Sequence, residues 1–339
     1  MRGTCPRFFR SLANRVLSLL AFLLFPAIAA LPLEAAEPSS RNLDSGWQFR
    51  AVGNTDKPGM TEWRPAQVPG VVHTDLLRNG LIPDPFDRDN EFRLQWIGQT
   101  DWEYQTTFQV DSAAFIHDHV YLVFDGLDTF ADVYLNDQAI LSTDNMFRRW
   151  RVPAKALLKP GANTLRIAFH SAVEKMVPYV KSLPYVLPSI STNNFGNEDN
   201  IATAPYTRKA PYQYGWDWGP RFLTEGIWRP IGLETWDALR IENFHIHQQK
   251  ITADIASITG EVEIQASRAA TATLTVAHDE TSAPRTADGT QTLQLDAGIN
   301  HVSFSIRIST PKLWYPVGYG PQNRYRFSAL VRVGREVAA

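Results

Sequence analysis

The residues best able to do chemistry stand together at Tyr214-Gly215-Trp216-Asp217-Trp218-Gly219-Pro220-Arg221. Two indoles flanking a carboxylate suit a pyranose. Sugar C–H faces lie against aromatic rings, and a carboxylate accepts hydrogen bonds from neighbouring hydroxyls. In a regular strand Trp216 and Trp218 face one way and Asp217 the other, so convergence on one ligand requires a bend. Gly215 before and Gly219-Pro220 after are the residues that permit it. A second arrangement fits the same residues: a tryptophan pair buried in a sandwich core, with Asp217 capping a turn. Composition does not separate the two.

Other chemistry has little support. Gly318-Tyr319-Gly320 is followed by Pro321 and reads as a turn rather than a phosphate loop, and no Gly-x-Ser-x-Gly elbow occurs. His245 and His247 share a strand face, but no third ligand stands at metal spacing, so exposed polar alternation is the expected reading. Arg148-Arg149-Trp150-Arg151 reads as a solvated edge. No metal or other cofactor is expected.

The elements that must position these residues are β-strands. The chain has 339 residues, 44% hydrophobic and 20% charged, with 33 Lys+Arg against 35 Asp+Glu. That composition belongs to a globular chain with real cores, and the absence of a dense basic run argues against a nucleic-acid partner. From about Asn42 to Asp237 short alternating runs are punctuated by Pro and Gly, and nine of the ten tryptophans lie there. Tyr104 to Val110 alternates; Val120 to Phe124 is apolar throughout, as in a strand buried on both faces. Val133 to Leu141 turns at Asn136-Asp137 as a hairpin, and Leu165, Ile167 and Phe169 share a strand face. One helical turn is expected at Thr74 to Arg78, ended by Asn79-Gly80. Asn193 to Pro211 reads as a long loop, and such loops in compact domains are often functional. From about Arg240 to Gly334 the composition shifts to Thr, Ala, Val and Ile, with strict alternation in Glu261 to Gln265, Thr271 to Ala277, His301 to Ile308 and Tyr325 to Val333. The expected fold class is all-β: a β-sandwich over 40–238, then an immunoglobulin-like sandwich over 239–335.

The N-terminus carries an address. Arg2, Arg7, Arg10 and Arg15 precede an apolar run from Val16 to Ala30, and Ala27-Ile28-Ala29 offers small residues for cleavage. The run is too short to span a bilayer comfortably. Residues 1–30 are therefore expected to be a signal peptide, leaving an exported chain, periplasmic or secreted, with no membrane attachment. Removing four arginines takes the formal charge from −2 to −6. The only cysteine, Cys5, would leave with it.

Around the central motif, Arg208-Lys209 precedes GWDWGPR and Gly226-Ile227-Trp228-Arg229-Pro230 follows. Upstream stand Pro69-Gly70-Val71-Val72-His73-Thr74-Asp75-Leu76-Leu77, Leu81-Ile82-Pro83-Asp84-Pro85-Phe86, Asn90-Glu91, Gln95-Trp96-Ile97 and Asp101-Trp102. Phe124-Asp125-Gly126-Leu127-Asp128-Thr129 and Val133-Tyr134-Leu135-Asn136 complete the set. In these blocks the chain resembles the β-mannosidases of glycoside hydrolase family 2, densely from Asn42 to Trp236. Beyond that the likeness thins to Leu313-Trp314-Tyr315-Pro316 with Gly318 and Gly320. The resemblance implies a sugar-binding jelly roll and an immunoglobulin-like module that precede a (β/α)8 barrel carrying both catalytic glutamates. It also implies that Trp216, Asp217 and Trp218 reach the barrel's pocket and contact the terminal mannose. Asn90-Glu91 and Asn197-Glu198 match the jelly roll's own pattern, so neither glutamate is assigned as the acid/base, and no catalytic residue is expected in this chain.

The expected function is thus the non-catalytic N-terminal part of a hydrolase that removes terminal β-linked mannose. Its partners would be β-mannose-containing glycans and a catalytic barrel from the same gene or a downstream chain. The alternatives are a standalone secreted carbohydrate-binding or interaction protein, and a sibling activity such as a glucosaminidase or galactosidase. On expression in a host with a general secretory pathway, N-terminal sequencing of the exported product should start near Ala30 or Leu31. An intact Met1 in that product would instead mean an uncleaved anchor.

Overall fold

In the computed structural model, which describes residues 39–53, 59–185, 187–189, 201–280 and 286–338, apolar–polar alternation becomes two β-sandwiches. The segment 1–30, Asn197-Glu198 and the loop residues 193–200 lie outside the described residues. The first sandwich uses β1 (Ser39–Asn42), β2 (Gln48–Ala51), β3 (Arg64–Pro65), β4 (Trp102–Val110) and β5 (His119–Phe124). It continues with β6 (Phe130–Leu135), β7 (Gln138–Asp144), β8 (Trp150–Pro153), β9 (Gly161–His170) and β10 (Ile231–Trp236). One sheet has the order β1-β10-β5-β8 and the other β3-β2-β4-β9-β6-β7, with antiparallel pairing throughout. Tyr104, Thr106, Phe108 and Val110 of β4 point inward, beside Leu165, Ile167 and Phe169 of β9, so each strand's alternation faces the same core. That core also holds Trp47, Phe49, Trp102, Leu122 and Phe124. The hairpin β6-β7 turns on Asn136 (φ +50°) and Asp137 (φ +66°), a pair of left-handed residues whose twist matches the strands they join.

The second sandwich comprises β11 (Leu239–Ile251), β12 (Ile255–Ala266), β13 (Ala270–Glu280), β14 (Thr286–Leu295), β15 (Gly298–Ser309), β16 (Tyr325–Val333) and β17 (Glu336–Ala338). Its sheets are β11-β12-β15 and β14-β13-β16-β17, closing on Val262, Ile264, Leu274, Val276 and Val331. The fold is all-β, as the alternation predicts.

Helices are more numerous than periodicity indicates. α1 covers Val72–Arg78, two residues earlier at its start than expected, and Gly80 (φ +67°) follows its end. α2 is a single turn at Asn90–Arg93. α3, Ala172–Ser182, has no counterpart in the sequence reading. Its buried positions are few and Pro178 sits inside it, but the Ser171 hydroxyl accepts from the Glu174 N–H (3.2 Å) as an N-cap. The Ser171 hydroxyl also donates to Gly98 O (2.7 Å), so tertiary docking outweighs a weak local pattern.

The basic run and the histidine pair can be placed in the same way. The basic run does lie on an edge strand, with Arg148 and Arg149 exposed, but its charges are paired: Arg149 with Asp125 (2.7 Å) and Glu234 (2.8 Å), and Arg151 with Glu234 (3.5 Å) and Glu242. Arg240 reaches the same two glutamates, so the network joins β8 and β10 to β11. His245 and His247 do share a face, ring centroids 4.1 Å apart, and among the described residues no group of three His, Cys, Asp or Glu is placed to hold a metal ion. Among those residues, too, no helix is long and apolar enough to cross a membrane.

His170, at the end of β9, lies between two carboxylates: Nδ1 is 3.2 Å from Asp101 and Nε2 is 2.8 Å from Asp132. Hydrogen bonding to Asp101 and then Asp132 raises the imidazole above its ordinary value of 6.5, against the opposing effect of burial. A raised folded-state value means the histidine's stabilisation is fully present below pH 6.5 and is lost as pH rises through that raised value. The gap in urea midpoint between wild type and His170→Ala should therefore narrow from about pH 6 to about pH 9. A pH-independent gap would show that the imidazole contributes only packing.

Candidate functional site

The segment Thr207 to Gly226 leaves the sandwich, forms the motif and returns. The chain passes through short 3-10 turns at Ala204–Tyr206 and Pro211–Tyr214, and Gly215 (φ +92°) then swings it outward from the buried Tyr214 ring. Trp216 N–H donates to Gly219 O (3.1 Å) and Gly219 N–H donates to Trp216 O (3.2 Å). This tight turn puts Asp217 and Trp218 at its apex. Trp216 is 48% exposed, Trp218 86%, and Asp217 is exposed with no hydrogen-bond partner among the described residues. The buried-tryptophan arrangement is thereby excluded; the core indoles are Trp47, Trp102 and Trp236. Gly219 needs no left-handed backbone, and its part is to close the turn.

Beneath the turn lies a buried polar cluster. Lys209 Nζ donates to Asp128 Oδ1 (2.6 Å) and to the carbonyl of Thr224, with both charged side chains almost fully buried. The second oxygen of Asp128 accepts from Thr224 Oγ1 (2.9 Å) and Gln213 Nε2 (3.2 Å), while Gln213 Oε1 accepts from Thr224 N–H (3.1 Å). Asp128 and Gly226 exchange backbone bonds of 3.0 and 3.1 Å. Both ends of the motif segment are thus tied to one carboxylate. Glu225, also buried, has neither carboxyl oxygen hydrogen-bonded among the described residues. Burial pushes its carboxyl well above the usual range, with Lys209 opposing. Burial, with Lys209 adding to the effect, holds His73 down to about 4 and neutral.

A concave site of about 720 Å³ lies between the turn and the segment from Pro85 to Phe92. Arg221 N–H donates to Glu91 Oε1 (2.7 Å), its guanidinium reaches Gln95 Oε1, and Gln95 Nε2 donates to Glu91 O (2.8 Å) and Arg221 O (2.9 Å). Burial lowers Arg221 to about 10, with Tyr214 and Glu91 opposing. Glu91 is therefore a strut between the walls. Trp216, Asp217 and Trp218 converge on this site; Phe86, Arg88 and the Asp128–Lys209 pair were not singled out for it by sequence. Sequence did not distinguish this pair, because Asp125 and Arg208 stand beside it as equivalent charges and only burial creates the need for a partner.

Two family descriptions match the chain: "Glycosyl hydrolase 2 galactose-binding domain-like" over residues 47–229 and "Glycosyl hydrolases family 2" over 239–338. Beta-mannosidase B of Thermothelomyces thermophilus is 36% identical over 298 residues, covering 86% of this chain and 32% of that protein. Beta-mannosidase B of Emericella nidulans is 35% identical over 305 residues, 87% of this chain and 34% of that protein. The crystal structure of a beta-D-mannosidase from Dictyoglomus thermophilum superposes with a TM-score of 0.74 at 34% identity, covering 87% of this chain and 34% of that one. An exo-chitosanase from Amycolatopsis orientalis shares the fold, with a TM-score of 0.62 at 22% identity, covering 88% of this chain and 32% of that one. The chain spans about a third of the length of the curated relatives it matches.

Removing one partner of a buried ion pair strands the other charge and costs about 3–5 kcal/mol. Lys209→Met should accordingly lower the melting temperature by several degrees, whereas Asp217→Ala, at an exposed apex, should change stability by no more than about 0.5 kcal/mol. Parallel thermal melts of the two variants read this directly. A large drop for Asp217→Ala would return the aspartate to a structural role.

Proposed function

The chain belongs to glycosyl hydrolase family 2, and from that membership we propose that it supplies the sugar-holding, non-catalytic part of a β-mannosidase-type enzyme. The reading rests on one observation: Asp217, exposed and unpaired among the described residues, lines a concave site together with two exposed indoles. A terminal β-linked mannose would lay its C–H face on an indole and donate two hydroxyl protons to the Asp217 carboxylate. Nothing in this step needs a metal or proton transfer; the chain's residues bind and orient.

Bond cleavage is assigned to residues beyond this site. A retaining glycosidase sets two carboxyls about 5–5.5 Å apart across the bond. Of the two acidic side chains lining the depression, Glu91 is engaged by Arg221 N–H, which leaves Asp217 without a second free carboxyl. The relatives' greater length agrees with a catalytic domain acting beside this one. Export by the N-terminal signal would bring the protein to extracytoplasmic glycans.

Titration of the chain with methyl β-D-mannoside tests the reading. Wild type should bind, and Asp217→Ala should bind at least about tenfold more weakly, since a hydrogen bond to a charged group contributes about 1.5–3 kcal/mol. The same preparations should not turn over an aryl β-mannoside. Equal binding by the variant, or turnover that survives removal of host enzymes, would overturn the assignment.

A further inference from the structure

The Trp216–Gly219 turn forms one wall of the site, and the segment from Pro85 to Phe92 forms the other. A volume of about 720 Å³ falls in the range that encloses drug-sized ligands, so it has room for more than one hexose. The second wall is firmly built. Asp84 Oδ1 accepts from Phe86 N–H (2.9 Å), and Asn90 Nδ2 donates to Asp84 O (2.8 Å) from a buried position. Phe222 holds the Phe86 ring edge-on, centroids 5.3 Å apart, while 76% of Phe86 stays open to solvent. Arg88 occupies the left-handed region (φ +52°), which long side chains seldom adopt. Its guanidinium approaches Asp87 no nearer than 3.9 Å, and its side chain is 87% exposed. The Glu91–Arg221 bond sets the spacing of this wall from the tryptophans.

The geometry points to Phe86 and Arg88 as a second subsite, for the sugar joined to the one held by Trp216, Asp217 and Trp218. This inference rests on the reading of that turn as a sugar site. The neighbouring ring packs its C–H face on the open side of Phe86, and its hydroxyl oxygens accept from the Arg88 guanidinium. The ligand class is therefore a β-linked oligosaccharide of at least two neutral pyranoses. Glu91 stands outside the subsite, since its carboxylate already accepts from Arg221.

Calorimetric titration of the full chain with methyl β-D-mannoside and with β-1,4-mannobiose tests this. Wild type should prefer the disaccharide by about five- to tenfold, the worth of one aromatic contact with accompanying hydrogen bonds. Phe86→Ala and Arg88→Ala should each reduce that preference while leaving affinity for the monosaccharide unchanged, and both sites are exposed enough to keep the fold intact. Equal binding of the two sugars by wild type, or an undiminished preference in both variants, overturns the second subsite alone. Failure of wild type to bind either sugar overturns the reading of the tryptophan turn, and this inference with it.

Discussion

Everything functional here hangs on the buried pair between Asp128 and Lys209. Asp128 sits beside β6 in the first sandwich, and Lys209 begins the long segment that carries the Trp216–Gly219 turn. Desolvating two charges is expensive, and the mutual attraction compensates only when every remaining lone pair and proton finds a partner. Here Thr224 and Gln213 complete the carboxylate, and Thr224 O takes a further proton of the ammonium. A single ammonium cannot neutralise a second buried carboxylate. Burial accordingly pushes the nearby Glu225 carboxyl well up, against the pull of Lys209, and the neutral His73 avoids adding another charge.

From that anchor the rigidity passes outward. The segment returns to the sandwich at Gly226, where an added Cβ would meet Gly70 O at 2.8 Å, so the backbone approach is too close for any side chain. Between anchor and return, Glu91 and Gln95 grip Arg221. The indoles and Asp217 can then be left exposed without the turn losing its geometry, which is the condition for a preorganised site. Exposed aromatics of this size, Trp218 above all, would otherwise be a liability on a soluble surface.

The arginine–glutamate network between the sandwiches follows a different logic. Arg151 and Arg240 share Glu234 and Glu242, and Arg149 joins them at Glu234, so the charges are partly buried yet paired. Its planar guanidinium forks suit shared carboxylates better than lysines would, and the network orients β11 as it leaves β10.

Period-2 alternation in Tyr104 to Val110 or Thr271 to Ala277 specifies a strand and its inward face wherever it occurs, so the all-β fold and much of both cores were legible from sequence. Asn136-Asp137 likewise named its own hairpin, because few residue pairs accept two left-handed conformations in succession. The tryptophan–aspartate–tryptophan cluster was visible too, as residue types. Its exposure was not, because a buried pair and an exposed turn share one composition; the outcome rested on Gly215 and on hydrogen bonds closing across Asp217-Trp218. α3 was missed since its stability comes from docking, and the fate of the Arg148–Arg151 run depended on glutamates more than eighty residues away. Local sequence determines what a segment can form; partners brought together from distant positions, as Asp128 and Lys209 are, decide which charges are buried and which side chains remain open to a ligand.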